Sequence, residues 1–233
     1  MSFPGVAAGS SYSYNDYYGS SDMIAFCKNE KRELSVKILT PRMLIKSVES
    51  KEKEYDNYAA LFGDKAVMDK FSTGQTKTRE EMQKRIDSVW VKRWKARDPY
   101  AGLSVFNRQT GDFMGHIVLG HSDQAGESEM AYLLHQRYWN QGYGSEAVMT
   151  LVKEYVPLAI KKGYSLGGKP LKRIVATVRP DNPASCRILQ KVGMQLESTD
   201  EKYGAVRHHY SLDLCEIPKK TSKKVSESAC ILL

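Results

Sequence analysis

Two glycines mark the segment of this sequence that is best suited to bind an anionic ligand. Gly142 and Gly144 lie in Tyr138-Trp-Asn-Gln-Gly-Tyr-Gly-Ser-Glu146, between a predicted strand and the start of a predicted helix. Such a turn can direct several backbone N–H groups to one point, where the helix dipole also favours negative charge, so it could hold a pyrophosphate. The segment lacks the third glycine of the dinucleotide fingerprint and the Gly-Lys-Ser/Thr of a P-loop, so an ordinary tight turn stays an open alternative.

Other residue types that could do chemistry give weaker signals. Cys186 is a candidate nucleophile, but cysteine is commonly a small buried side chain, and the sequence fixes no histidine beside this one. His208 and His209 are adjacent in a predicted strand, so at most one of them could face a substrate groove. The chain has four cysteines, with no C-x-x-C pair and no suitably spaced histidine, so we expect no metal site.

The elements that would position these residues predict an α+β domain over residues 34–215. Apolar alternation and turn residues predict strands at residues 42–48, 103–107, 113–120, 129–135, 173–178 and 208–214, of which the three central ones form an antiparallel meander. Helices are predicted at residues 51–62, after the capping box of Thr78 and Glu81, after Gly144 and at residues 183–192. Pro157 should kink or end the third of these helices.

Four short motifs, which follow one another in order, carry a resemblance to a known family. The motifs are Thr40, Arg42, Ile45 and Lys46; Thr110-Gly111 with Met114-Gly115; Tyr138, Trp139, Gly142, Tyr143, Glu146 and Ala147; and Asn182, Ser185, Leu189, Lys191 and Gly193. With these motifs, the chain from about Thr40 to Leu214 resembles the GNAT superfamily of N-acetyltransferases, and within it the branch that acetylates the N-termini of ribosomal proteins.

The resemblance implies a fold and a cosubstrate. The fold would be the GNAT fold, a mixed and mostly antiparallel sheet that splays at the acetyl-CoA site and carries helices on both faces. Acetyl-CoA would lie in the gap, and the backbone N–H groups of Leu133 and Leu134 would stabilise the carbonyl oxygen during transfer. The residues implied to hold the pyrophosphate are Gln141, Gly142, Tyr143, Gly144 and Ser145.

The resemblance also suggests catalytic residues, each with a structural alternative. Glu129 would be the general base, acting through a water, unless it is simply a solvated strand carboxylate; Glu127 is the reserve candidate. Ser185 would be the acid that protonates the departing thiolate, or only a hydroxyl that caps a helix. Asn182 would contact the cofactor, or open a turn before Pro183.

The composition limits the remaining possibilities. The chain has 233 residues, 41% of them hydrophobic, which excludes wholesale disorder, and it shows neither a spanning apolar run nor a signal peptide. Residues 1–33, rich in serine, tyrosine and glycine, are predicted to form a flexible arm. Because no basic residue precedes Lys28, stacking of these tyrosines on bases is disfavoured, and we expect no nucleic-acid partner.

Residues 216–233 form a basic tail. Lys219, Lys220, Lys223 and Lys224 supply half of the net charge of +8, and the sequence ends in Cys230-Ile-Leu-Leu, the pattern of a prenylation box. A prenyl group together with a lysine cluster provides the two signals that stable membrane anchoring needs. The expected partners of this tail are a prenyltransferase and an anionic membrane surface. The protein would lie on the cytoplasmic side of a membrane if prenylated, and otherwise in the cytoplasm.

These observations predict an acetyl-CoA-dependent N-acetyltransferase that acts directly on a primary amine. A protein N-terminus or lysine is a better candidate for the acceptor than a small molecule. The tail suggests either a bacterial protein injected into a host cell and prenylated there, or a eukaryotic protein of a cytosol-facing membrane. The alternative from another class is a catalytically silent GNAT-fold binding module positioned on membranes.

Overall fold

A ten-stranded sheet organises the residues that the computed structural model describes, namely 13–14, 23–29, 31 and 33–214. Its spatial order is β1-β2-β3-β4-β5-β6-β7-β10-β12-β11, and β8 and β9 form a separate hairpin. The strands are β1 (Ser13–Tyr14), β2 (Met23–Lys28), β3 (Leu34–Leu39), β4 (Met43–Ser47), β5 (Gly102–Asn107), β6 (Phe113–His121), β7 (Glu127–Leu134), β8 (Ser165–Leu166), β9 (Lys169–Pro170), β10 (Arg173–Val178), β11 (Gln195–Lys202) and β12 (Ala205–Asp213).

The helices lie between β4 and β5, and then around β10. They are α1 (Glu52–Phe62), α2 (Lys65–Met68), α3 (Arg79–Arg85), α4 (Lys92–Lys95), α5 (Tyr143–Thr150), α6 (Val156–Lys161) and α7 (Pro183–Val192). Two π-helical segments, Ile86–Val91 and Leu151–Tyr155, join α3 to α4 and α5 to α6. The predicted capping box is confirmed: Thr78 accepts from the Glu81 N–H, and Glu81 accepts from the Thr78 N–H.

The helices cover both faces of the sheet and form two apolar cores. On one face, α1 and the segment from α3 onward pack Tyr58, Met82 and Trp90 against Phe113 and Leu133 of the sheet. The other core packs α5, α6 and α7 against the strands, and its members include Val148, Tyr155 and Leu189. The predicted α+β architecture, a mixed and mostly antiparallel sheet with helices on both faces, is therefore confirmed.

The sheet opens between β7 and β10, which is where the fold positions its site. These two strands are parallel and pair only at their first residues, Arg173 with Glu127, Ile174 with Ser128 and Val175 with Glu129. All other neighbouring strands of the sheet in the described residues are antiparallel. Beyond Glu129 the two strands diverge, so the backbone edges that face each other there are free to bind a ligand.

Two sequence predictions require correction, and one strand had no local signal. Residues 23–28 are not part of a flexible arm but form β2, which pairs with β3 along its whole length and buries Ile24 and Phe26. Of the two outcomes predicted at Pro157, a kink or an end, the end is wrong: a π-helical segment precedes Pro157, and the helix continues to Lys161. β11 was not predicted, since its residues are exposed and mostly polar and form a strand by pairing with β12.

Candidate active site

A groove of about 1660 Å³ runs through the gap between β7 and β10 and is lined from both faces of the sheet. One end is formed by Gly142, Gly144 and the start of α7, and the other by the loop after α2, by α3 and by the π-helical segment behind it. Predicted site residues that line it are Glu129, Leu133, Leu134, Gly142, Gly144, Ser145, Asn182 and Ser185. The structure therefore brings most of the predicted site into one groove.

The glycine turn has the geometry of an anion cradle. Gly142 is the N-cap of α5 and has a φ of +82°, a left-handed conformation that glycine adopts without strain. The first backbone bond of the helix runs from Glu146 N to Gly142 O at 3.0 Å, so the N–H groups of Tyr143, Gly144 and Ser145 have no intrahelical partner. A Cβ on Gly144 would come within 3.1 Å of Ile188 Cδ1, so a side chain at this position would narrow the space in front of the three free N–H groups. These features fit a bound pyrophosphate.

The Thr40 and Arg42 motif turns out to hold this turn in place. Glu146 accepts from Thr40 Oγ1 and from Arg42 Nε, both at 2.6 Å. Arg42 also donates to the carbonyl oxygen of Gln141 at 2.8 Å and lies 4.1 Å from the ring centre of Tyr143. The Gln141 side chain donates to Arg137 O at 2.6 Å, and the Tyr143 ring packs against Tyr138. Neither residue lines the groove, and their part in holding the pyrophosphate stays a prediction.

The end of β7 presents one backbone donor to the open gap. His135 N donates to Met114 O on β6, and N–H groups alternate in direction along a strand. The N–H of Leu133 is thereby directed toward β6, and that of Leu134 toward the gap. Of the two predicted donors for the carbonyl oxygen, this alternation favours Leu134.

A pair of hydroxyls faces the gap from opposite sides. The hydroxyl of Tyr132 on β7 lies 2.7 Å from Ser185 Oγ at the start of α7. Burial raises the pKa of Tyr132 to about 12, so the phenol stays protonated. Asn182 caps α7 by accepting from Ser185 N at 3.2 Å. Sequence reasoning did not single out Tyr132. The period of two along a strand nevertheless puts its side chain on the face of β7 opposite to that of Glu129 and Leu133.

Glu129 and Glu127 have different surroundings despite their shared strand. Glu129 lines the groove, and its Oε1 lies 3.3 Å from Lys202 Nζ on the β11–β12 hairpin. Glu127 is outside the groove and forms an ion pair with Arg173 at 3.4 Å. Glu129 therefore has access to the gap, whereas Glu127 does not line the groove.

A buried polar network that sequence reasoning missed reaches the groove floor at His116. Its Nδ1 lies 2.8 Å from the hydroxyl of Tyr58, which in turn lies 3.1 Å from Ser104 Oγ. Ser104 donates to Glu54 at 2.7 Å, and Lys46 lies 3.4 Å from the same carboxylate. Burial lowers the pKa of His116 to about 3, and the positive charge of Arg85 acts in the same direction, so the imidazole is neutral.

The remaining candidates lie elsewhere. Cys186 does not line the groove, and burial raises the pKa of its thiol, which argues against a nucleophilic role. His208 hydrogen-bonds Thr199 and His209 lies beside Asp200, and neither reaches the groove. Cys230 and the lysines of the tail lie outside the described residues. Within those residues there is no cluster of metal-ligating side chains and no helix long and apolar enough to cross a membrane.

The family comparison agrees with this geometry. Residues 42–195 match the acetyltransferase (GNAT) domain family, a range that includes the glycine turn, Glu129 and Ser185. The chain therefore belongs to the GNAT acetyltransferases; it is an N-acetyltransferase that uses acetyl-CoA.

Individual relatives support the same assignment. The uncharacterized protein YkkB of Bacillus subtilis is 26% identical over 173 residues, which are 72% of this chain and 90% of YkkB. The uncharacterized N-acetyltransferase YnaD of the same organism is 30% identical over 98 residues, which are 42% of this chain and 52% of YnaD.

Solved structures share the fold at low sequence identity. A GNAT-family acetyltransferase from Bacillus anthracis has a TM-score of 0.60 at 22% identity, covering 76% of this chain and 98% of that protein. A ribosomal-protein-alanine acetyltransferase from Vibrio fischeri gives 0.59 at 16% identity, with 76% and 96% covered. RimL, a ribosomal-protein α-N-acetyltransferase in complex with coenzyme A, gives 0.57 at 16% identity, with 75% and 95% covered.

Proposed function

We propose that this enzyme transfers acetyl directly from acetyl-CoA to a primary amine of a protein, at an N-terminus in the first place and otherwise at a lysine. The observation that carries the proposal is the continuous groove, which connects the glycine turn on one face of the sheet to Glu129 on the other. An acceptor on the second face meets the acetyl donor only in the gap between β7 and β10. The names of the ribosomal-protein acetyltransferases that share the fold support a protein acceptor.

The residues of the gap divide the work of transfer. Acetyl-CoA supplies the activated thioester. The N–H groups of Tyr143, Gly144 and Ser145 bind its pyrophosphate, and the Leu134 N–H binds the carbonyl oxygen as negative charge develops there. Glu129 takes a proton from the attacking amine through a water. Ser185, which is held in position by Tyr132, donates a proton to the departing sulfur and regains one through solvent from the protonated Glu129.

Thiol release from acetyl-CoA in the presence of a panel of amines tests the reaction. We expect Glu129→Gln to lower kcat by about a hundredfold, because the amide cannot accept the proton. Glu127→Gln is a matched control on the same strand, since Glu127 is paired with Arg173 outside the groove. Equal activity in the two variants would remove Glu129 from the mechanism. Absence of turnover with every amine would leave the silent binding module as the better description.

Mass spectrometry of acetylated N-termini and lysines tests the acceptor. Cells with the wild-type protein are compared with cells carrying Gly144→Val, whose side chain would collide with Ile188 and narrow the turn. We expect a set of protein N-termini to lose acetylation in the variant. An identical acetylation pattern in both cells, with the purified wild type active on small amines, would contradict the protein acceptor.

We further propose that the basic tail and Cys230 tether the enzyme to an anionic, cytosol-facing membrane through a geranylgeranyl group. The cell must contain a prenyltransferase, as a eukaryotic cell or the host of an injected bacterial protein does. Incubation with geranylgeranyltransferase and labelled lipid should label the wild type but not Cys230→Ser. Unlabelled wild type, or equal label on both proteins, contradicts this tether.

A further inference from the structure

Arg207 is a buried arginine without a carboxylate partner. Its exposed fraction is 2%, and no carboxylate of the described residues lies within ion-pair distance of its guanidinium. Its one hydrogen bond to a described residue runs from Nη2 to the carbonyl oxygen of Ser72, and its Nε is buried without any acceptor. A guanidinium has five N–H donors in a planar fork, so most of its donor capacity is unused.

Arg207 lies at the part of the groove that contains Glu129, where the proposed acceptor amine would bind. Arg207 lines the groove and lies on the same face of β12 as His209, the face opposite the apolar core that contains Tyr210 and Leu212. Glu129 on β7 points to the same face of the sheet, because it alternates in step with Leu133, which packs in the core under α1 and α3. Lys202, which pairs with Glu129, lies 5.0 Å from the ring centre of Tyr203, and the Arg207 guanidinium lies 5.3 Å from the same ring.

The loop that closes over Arg207 is itself held in an unusual conformation. Ser72, whose carbonyl oxygen accepts from Arg207, has a φ of +49°, which is uncommon for a residue with a side chain. Strained backbone of this kind collects at ligand sites. The loop after α2 therefore holds one nitrogen of the guanidinium at the groove wall, and its other nitrogens have no hydrogen-bond acceptor among the described residues.

A buried, unpaired cation is costly, and the cost falls when an anion binds to it. Burial lowers the pKa of Arg207 and Arg179 acts in the same direction, whereas Tyr203, Glu129 and Asp181 act against this shift. A planar, bidentate acceptor such as a carboxylate matches the guanidinium fork best. Lys84 and Arg85 also line the groove and add positive charge, and the carboxylates that line it are Asp69, Glu81 and Glu129.

We propose that Arg207 binds a carboxylate of the acceptor, so that the substrate class is a primary amine with an acidic group close to it. The inference rests on the proposed acetyl transfer and specifies its acceptor. The amine lies at Glu129 and the carboxylate at Arg207. The carboxylate is either an acidic side chain at the start of a protein or the α-carboxylate of an amino acid, and this chemistry is the same in both cases.

Steady-state kinetics of the full chain with matched acceptors tests the proposal. The first pair is two C-terminally amidated peptides that begin with Asp or Asn, and the second is alanine and alaninamide. The wild type should favour the carboxylate member of one pair by about tenfold to a hundredfold in kcat/KM, since hydrogen bonds to charged groups have that strength. Preference in the peptide pair assigns a protein acceptor, and preference in the alanine pair assigns an amino acid.

The variants separate recognition from structure. Arg207→Gln should reduce the preference ratio to near one, mainly through KM of the carboxylate acceptor, and Arg207→Lys should keep an intermediate ratio. Arg179→Gln is the control, because Arg179 is a neighbouring arginine paired with Asp181 outside the groove, and its ratio should equal that of the wild type.

Two results would overturn the proposal: a wild-type ratio near one in both pairs, or equal losses on both members of a pair in Arg207→Gln. If Arg207→Gln does not melt cooperatively, the ratio of Arg207→Lys decides. Lack of turnover with every acceptor would instead contradict the proposed acetyl transfer, so the two failures are distinguishable.

Discussion

The hydroxyls of Tyr132 and Ser185 have a functional interpretation only as a hydrogen-bonded pair. Ser185 alone could be a helix-capping residue, but Asn182 already caps α7 by accepting from the Ser185 N–H. The Ser185 side chain is thus available for another partner, and the structure provides Tyr132 at 2.7 Å. The pair lies at the gap between β7 and β10, where the proposed mechanism has the departing sulfur protonated.

Removing either hydroxyl should impair catalysis to a similar extent. We expect Tyr132→Phe and Ser185→Ala each to lower kcat by about ten- to a hundredfold, measured as thiol release. The double variant should be little worse than the single ones, because the two hydroxyls act as one unit. Tyr164→Phe, a tyrosine in the core against Phe26, is the control. Independent, multiplicative losses would show that the two hydroxyls are not coupled.

His116 should make folding stability depend on pH. In the folded protein burial lowers its pKa from 6.5 to about 3, so the unfolded chain binds a proton more readily. Its contribution is fully present above pH 6.5, and each pH unit below that should cost up to about 1.4 kcal/mol of unfolding free energy until pH 3. Denaturant unfolding at several pH values measures this. His116→Gln should have a shallower decline between pH 6.5 and pH 4; parallel curves would contradict the assignment.

At the scale of elements, the gap depends on how closely β6 approaches β7. Gly115 on β6 lies opposite Leu134, and its missing side chain lets the two strands come together just before the gap. The turn after β7 is fixed separately, since Glu146 at the start of α5 binds Thr40 and Arg42 from the β3–β4 connection. Three distant segments thereby set the distance between the Leu134 N–H and the glycine turn.

A methyl group at Gly115 should disrupt this arrangement. A Cβ there would lie 2.1 Å from the carbonyl oxygen of Leu133 and 2.8 Å from Leu134 Cα, both of them backbone atoms that cannot rotate away. We expect Gly115→Ala to cost at least about 3 kcal/mol in thermal or denaturant unfolding and to lower activity. Gly120→Ala is matched on the same strand, with a Cβ at an ordinary 3.4 Å from Glu129 O. Similar stability losses in both variants would show that the close approach is unimportant.

At the scale of the whole molecule, the sheet extends beyond the domain that the motifs outline. β2 pairs with β3 and contributes Phe26, which stacks on Tyr155 at 5.5 Å between ring centres and on Tyr164 at the same distance. Tyr155 belongs to the π-helical segment that follows α5. The helix that begins at the glycine turn therefore packs, through Tyr155, against Phe26 of β2.

Loss of the Phe26 ring should destabilise the whole domain. The side chain is 8% exposed, and truncation of a buried phenylalanine to alanine costs about 3–5 kcal/mol. We expect that loss for Phe26→Ala in denaturant unfolding. Val206→Ala, at a side chain that is 56% exposed, should change the stability by less than about 0.5 kcal/mol. A flexible arm at this position would instead make the two variants equally stable.

Short sequence patterns correctly predicted those structural features that depend only on residues close together in the chain. The capping box at Thr78, the strand periodicity of residues 173–178 and the glycine after Val192 each depend on neighbours within a few residues, and each is confirmed. The four ordered motifs were sufficient for the GNAT fold and for acetyl-CoA. β11 was missed because a polar segment forms a strand only when a partner strand supplies hydrogen bonds. β2 and β3 were missed although MIAFCK and LSVKIL are rich in apolar residues.

The sequence by itself thus determined the family, the cosubstrate and the glycine turn, because backbone conformation and helix capping are encoded over short spans. Only the tertiary structure decided which side chains share the groove. It paired Tyr132 with Ser185, placed Glu129 in the groove and Glu127 outside it, and left Arg207 with no carboxylate of the described residues within ion-pair distance. Contacts between residues 46 to 135 positions apart depend on strand order and on the face of each strand, and neither is written in local sequence.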